Sequence, residues 1–122
     1  MTDQAYPFGT ALMPDAMDEH TVILLVRPEG APAFDEDELD RLQAAHLAHL
    51  RELARRGVLV ANGPLSDQTD ERIRGISIYA LPLEEALALA RADPMVHAGR
   101  LAIEGGRWST AAGTVRFGTG RR

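Results

Sequence analysis

The stretch DELDRLQAAHLAHLRELARRGVLVANGP, residues 37–64, decides the reading of this chain. Leu39, Leu42, His46, Leu50 and Leu53 recur at helical spacing, and at about 100° per residue they share one stripe. A leucine stripe packs on a sheet, so the imidazole at its centre is aimed at the interior. Gly57 stops the helix, and the apolar run after it reads as a short strand over 58–62. Upstream, Asp35 or Asp37 is the expected N-cap, with acidic residues filling the favourable first turn. A second helix further on ends in Asp93-Pro94, which puts an anion where the helix dipole is already negative. Each group is awkward alone and each neutralises the other. His46 and Asp93 are therefore the candidate pair for chemistry or ligand binding.

Outward from this stretch the elements alternate. Residues 20–27 (HTVILLVR) are rich in β-branched side chains and end at Pro28-Glu29-Gly30, a buried strand. Residues 72–81 (RIRGISIYAL) alternate Ile73, Gly75, Ser77 and Tyr79 against Arg74, Ile76, Ile78 and Ala80, a strand with one face wetter than the other. Pro82-Leu83-Glu84-Glu85 opens a helix that runs to about Ala92. Gly99 precedes a last strand over 100–108, interrupted late by Gly105-Gly106. The order βαββαβ is that of an α+β, ferredoxin-like fold, a four-stranded antiparallel sheet with both helices on one face. The uncovered face belongs to strands with Leu, Ile, Val and Tyr, and large contiguous apolar patches seldom face water. A homodimer closing two sheets together is the expected partner. The domain then spans 20–108, between a loosely ordered leader over 1–19 and a tail over 109–122 that adds an edge strand around 114–117 or frays.

Composition narrows the function classes. With 122 residues, 45% of them hydrophobic, the chain fits one ordinary core. A net charge of −5 argues against nucleic acid, whose binding needs a cationic surface. No cysteine is present, so disulfides, thiolate metal sites and a cysteine nucleophile are excluded. All thirteen basic residues are arginine, which with the many alanines and glycines fits a GC-rich bacterial genome better than any special arginine chemistry. A secretory leader is not recognisable, and no apolar run approaches the roughly 20 residues of a membrane span. The expected location is cytoplasmic, with no membrane partner.

His46-Leu47 with Leu50 and Leu53, Gly57, Leu59, Gly63-Pro64-Leu65, Gly75, Glu85-Ala86, Asp93-Pro94, Gly99 and the strand ending at Trp108 together resemble the YciI-like (YCII-related) family. The resemblance covers residues 20–108. It implies ferredoxin-like subunits pairing into a dimeric α+β barrel, and places the family's active-site dyad on His46 and Asp93. Relatives by fold and motif include a dehydrochlorinase of aromatic degradation and muconolactone isomerase-type enzymes. The residues before His20, the longer loop before the first helix and the tail depart from compact members, leaving pocket access and substrate open.

A histidine held by a carboxylate is fixed in one tautomer and made more basic, as a proton shuttle requires. The plainer alternative is a half-buried histidine bonded to a backbone carbonyl. Asp93 has its own plain role, as N-cap of a turn beginning at Pro94, and a carboxylate with two oxygens serves both. Gly63, Pro64 and Leu65 are the candidate substrate-binding residues, where the chain passes a ligand beside His46, or they form a simple turn. His49, one turn after His46, has no third ligand at metal spacing and is read as solvated or pocket-lining, so no metal is expected. His20 and His97 are read as surface residues. No G-x-S-x-G marks Ser66 or Ser77 as a nucleophile, and Gly105-Gly106 lacks a phosphate-loop pattern. The sequence thus points to a small cofactor-free enzyme, an isomerase or lyase acting on a small metabolite. The alternative is a non-catalytic, small-molecule-binding or accessory dimeric module.

Overall fold

The computed structural model describes residues 16–118. It runs β1 (Met17–Val26), α1 (Glu36–Arg55), β2 (Leu59–Pro64), β3 (Ile73–Tyr79), α2 (Leu83–Arg91), α3 (Pro94–His97) and β4 (Ala102–Ala111). The sheet order is β2-β3-β1-β4 with every pair antiparallel, the ferredoxin-like arrangement. Most of the expected leader, residues 1–15, lies outside the described residues, as do residues 119–122. Among the described residues no helix is long and apolar enough to cross a membrane.

Asp35 is the N-cap of α1. Its carboxylate accepts the Glu38 N–H at 2.8 Å while the Glu38 carboxylate accepts the Asp35 N–H at 3.1 Å, a capping box that contributes on the order of 1 kcal/mol. The helix closes in a Schellman turn: Gly57 takes φ 78°, its N–H meets the Ala54 carbonyl at 3.0 Å, and the Val58 N–H meets that of Leu53 at 3.2 Å. This reversal drops the chain directly into β2. From the stripe, Leu53 is 2% exposed and joins Ile23, Leu59, Tyr79, Ala86 and Ala90 in the core between helices and sheet.

Several boundaries differ from the sequence expectation, the first being β1, which begins at Met17 within the expected leader rather than at His20. β2 continues through Gly63 and Pro64, which pair with Ile76 and Gly75. β4 runs unbroken through Gly105-Gly106 to Ala111. A Cβ on Gly105 would stand 2.9 Å from Leu83 Cδ1 and 3.0 Å from Leu87 Cδ2, so this glycine lets α2 settle on the sheet instead of ending the strand. Gly106 faces the other way, with nothing within 4 Å of a Cβ. Residues 115–118 form no strand. Phe117 instead sets its ring edge-on to His20, centroids 5.4 Å apart.

Pairing fixes the faces. Thr21, Ile23 and Leu25 stand opposite Tyr79, Ser77 and Gly75 and look toward the helices. Val22, Leu24, Ile76, Ile78 and Trp108 look outward and line a shallow apolar hollow on the uncovered face. Two register shifts interrupt the alternation. Between Leu59 and Ala61 the shift leaves Val60 unpaired, and opposite Leu25 and Val26 it leaves Arg74 unpaired. Beyond the first shift Asn62 and Pro64, rather than Ala61 and Gly63, stand opposite the inward Ser77 and Gly75.

Candidate active site

Asp93 is where two short-range signals converge. It caps α3, with Pro94 at the first helical position, and accepts the Met95 N–H on Oδ1 at 2.9 Å. Its Oδ2 accepts the Nδ1–H of His46 at 2.6 Å. The carboxylate therefore serves as cap and as partner, one oxygen for each. After α3 the chain turns on Gly99 at φ 81°. The Gly99 N–H bonds the Val96 carbonyl and the Arg100 N–H that of Met95, both at 3.0 Å, closing the turn and holding Asp93 against α1.

His46 and Asp93 are 9% and 2% exposed. A carboxylate accepts only, so the bond places a proton on Nδ1, and in the neutral ring the lone pair is then on Nε2. Among the described residues no side-chain nitrogen or oxygen is buried without a hydrogen-bond partner. Among the described residues Nε2 has no hydrogen-bond partner, so it is the atom His46 presents to the cleft it lines. That cleft, about 310 Å³, lies between α1 and the bent ends of β2 and β3. Leu25, Leu47, Leu50 and Leu101 form its apolar wall, while Asn62, Ser77, Arg27 and Arg74 bring polar groups. Gly75 lets β2 lie close on β3 at the cleft floor, because a Cβ there would stand 3.0 Å from the Gly63 carbonyl oxygen.

Gly63 and Pro64 line this cleft with His46, whereas Leu65, whose N–H bonds the Arg74 carbonyl at 2.9 Å, is not part of its lining. His49 gives its ring N–H to the Leu89 carbonyl at 3.0 Å, tying α1 to α2. It is part-buried and does not belong to the cleft lining. His97 is exposed, but His20 is half-buried between Trp108 and Phe117 and shares a hydrogen bond with Thr110 at 3.0 Å. The surface reading of His20 is thereby corrected, for the extended β4 and the tail enclose it. Nearby, burial and then the charge of Asp93 push the Tyr79 hydroxyl up to about 12.

Arg27, Arg74, Asn62 and Ser77 escaped the sequence reading. Ser77 carried a usable signal, since it shares the inward face with Gly75 and Tyr79. Asn62 and Arg74 carried none, because their direction depends on the two register shifts. Among the described residues no hydrogen bond joins Ser77 to His46, so no nucleophilic triad forms.

The family model of the YCII-related domain matches residues 10–104, most of the chain. This chain belongs to the YCII-related domain family. Among solved structures, this YCII-related protein is similar to 5-chloro-2-hydroxyhydroquinone dehydrochlorinase (TftG) from Burkholderia phenoliruptrix AC1100 in complex with 2,5-dihydroxybenzoquinone. The identity is 24% over 73% of this chain and 92% of that one, with a TM-score of 0.51. The two share the fold. No curated protein sequence matches the chain.

Proposed function

We propose that this YCII-related protein is a small enzyme that moves a proton by general acid/base catalysis, as an isomerase or as a lyase eliminating HX from a small metabolite. His46 Nε2 takes the proton from an acidic C–H or O–H in the cleft. Asp93 keeps the ring in the right tautomer and stabilises the imidazolium that forms. Elimination then expels the leaving group with the electron pair freed by deprotonation; isomerisation returns the proton from the imidazolium to another atom. Gly63 and Pro64 bound the substrate opposite His46. The observation that carries this reading is the buried 2.6 Å pair whose second ring nitrogen opens on a cleft. The fold's occurrence in a dehydrochlorinase supports it. The working unit is a homodimer joined through the outward sheet face.

A positioned base contributes about 10² to 10⁴ in rate, which makes the test sharp. Small cyclic ketones, lactones and chlorinated hydroquinones are incubated with the protein in deuterated water, and proton magnetic resonance follows hydrogen exchange while an electrode follows chloride release. His46→Gln is expected to abolish whatever exchange or release the unaltered chain shows. A cleft that only binds would give saturable binding of these compounds in both proteins with turnover in neither.

A further inference from the structure

The charge of the cleft is opposite to that of the chain. Net charge is −5, yet the lining holds Arg27 and Arg74 and no Asp or Glu. Asp93 lies behind the ring with both oxygens engaged. Among the described residues Arg55, Arg72 and Arg107 pair with Glu52, Asp70 and Glu19. Arg27 and Arg74 have no acid partner there, as is true of several surface arginines, but these two line a cleft that holds no carboxylate.

These guanidiniums are also placed. Arg27 is half-buried and anchored by Nε–H to the Arg100 carbonyl at 3.0 Å, leaving its terminal N–H groups without a carboxylate. Among the described residues the Arg74 side chain bonds the Glu71 carbonyl alone, from one terminal nitrogen at 3.2 Å. Strict alternation along β3 would turn Arg74 to the outward face beside Ile76 and Ile78. The register shift at Leu25 and Val26 leaves it unpaired and brings it into the cleft lining instead. Burial, then the charges of Arg100 and Arg74, hold the Arg27 guanidinium below its ordinary value, so the cations sense one another with no anion between them.

We propose that Arg27 and Arg74 form a carboxylate-binding subsite, and that the substrate is a small organic acid whose apolar body lies on Leu25, Leu47 and Leu50 with its acidic hydrogen at His46. The second half of this statement rests on His46 being the base; the first does not. Planar guanidinium forks match a carboxylate in two parallel hydrogen bonds, and a partly buried site strengthens them. A cleft near 310 Å³ suits a ligand of one ring or a short chain.

The test is calorimetric titration of the full chain with benzoate, phenylacetate and cyclohexanecarboxylate, each against its primary amide, at low and high salt. At low salt the acids are expected to bind at least about tenfold tighter than the amides, a gap of roughly 1.4 kcal/mol. Salt narrows the gap, and Arg27→Gln or Arg74→Gln closes most of it. Arg74 is exposed, so its replacement leaves folding intact and keeps the test valid if Arg27→Gln unfolds. Equal binding of acids and amides, no binding of any acid, or a preference that survives Arg74→Gln would overturn the subsite. Hydrogen exchange measured on the same samples separates the two readings. If the base assignment alone fails, acids bind selectively and nothing exchanges; if the subsite alone fails, exchange persists on neutral compounds without preference for acids.

Discussion

The carboxylate of Asp93 carries two duties that substitution can separate. Asn caps a helix about as well as Asp, so Asp93→Asn keeps an acceptor for the Met95 N–H and is expected to change stability by under about 1 kcal/mol. Its amide, however, no longer fixes the His46 proton on Nδ1, and turnover should fall by about 10² or more. Asp93→Ala removes both bonds and should cost about 2–4 kcal/mol, a lost cap plus buried groups left unpaired. Denaturant midpoints beside rates for the two variants check this. Tyr79 gives a pH signature. Its hydroxyl is raised from an ordinary value near 10 to about 12, so the unfolded chain releases this proton first as pH rises. The stabilisation is whole below about pH 10 and declines toward pH 12. Tyr79→Phe should flatten that alkaline decline in a chemical-denaturation series. The inward aim of His46 is legible from its place among leucines. The company it keeps, Arg74 and Asn62, is not, because one unpaired residue in a strand reverses the face of everything beyond it.

Elements were readable from period and hidden at their ends. The 3.6-residue stripe of α1 and the β-branched run of β1 declare themselves. The Gly105-Gly106 pair reads as a break, since glycine weakens a strand, yet β4 passes through it. What sequence could not supply was the partner: Gly105 lies under Leu83 and Leu87 of α2. The neighbouring glycines make a paired test. Gly105→Ala forces those leucines and Ile23 to shift and should cost about 1–3 kcal/mol. Gly106→Ala meets nothing within 4 Å and should fall within about 0.5 kcal/mol of the parent. Thermal melts of the two variants decide it; equal losses would mean that α2 does not rest on Gly105. α3 is legible at one turn, because an Asp-Pro pair marks the cap and first position of the short helix that follows.

At the scale of the whole molecule, the helices cover one side of the sheet and leave Val22, Leu24, Ile76, Ile78 and Trp108 around a hollow on the other. Trp108 is 46% exposed. An apolar face of this kind is expected to close against a second copy, and Ile76→Glu should shift sedimentation from dimer to monomer without changing the helical content. The cleft lies on the opposite side of the sheet, so Ile76→Glu also asks whether pairing is needed to shape it. The proposed proton transfer depends on the free nitrogen of His46. Its most direct test is the nitrogen-15 spectrum of the His46 ring near neutral pH. The expected spectrum has a protonated Nδ1 with a strongly downfield proton that Asp93→Asn abolishes, and an unprotonated Nε2 whose shift moves when benzoate enters the cleft. A neutral ring protonated on Nε2, indifferent to Asp93→Asn, would contradict it.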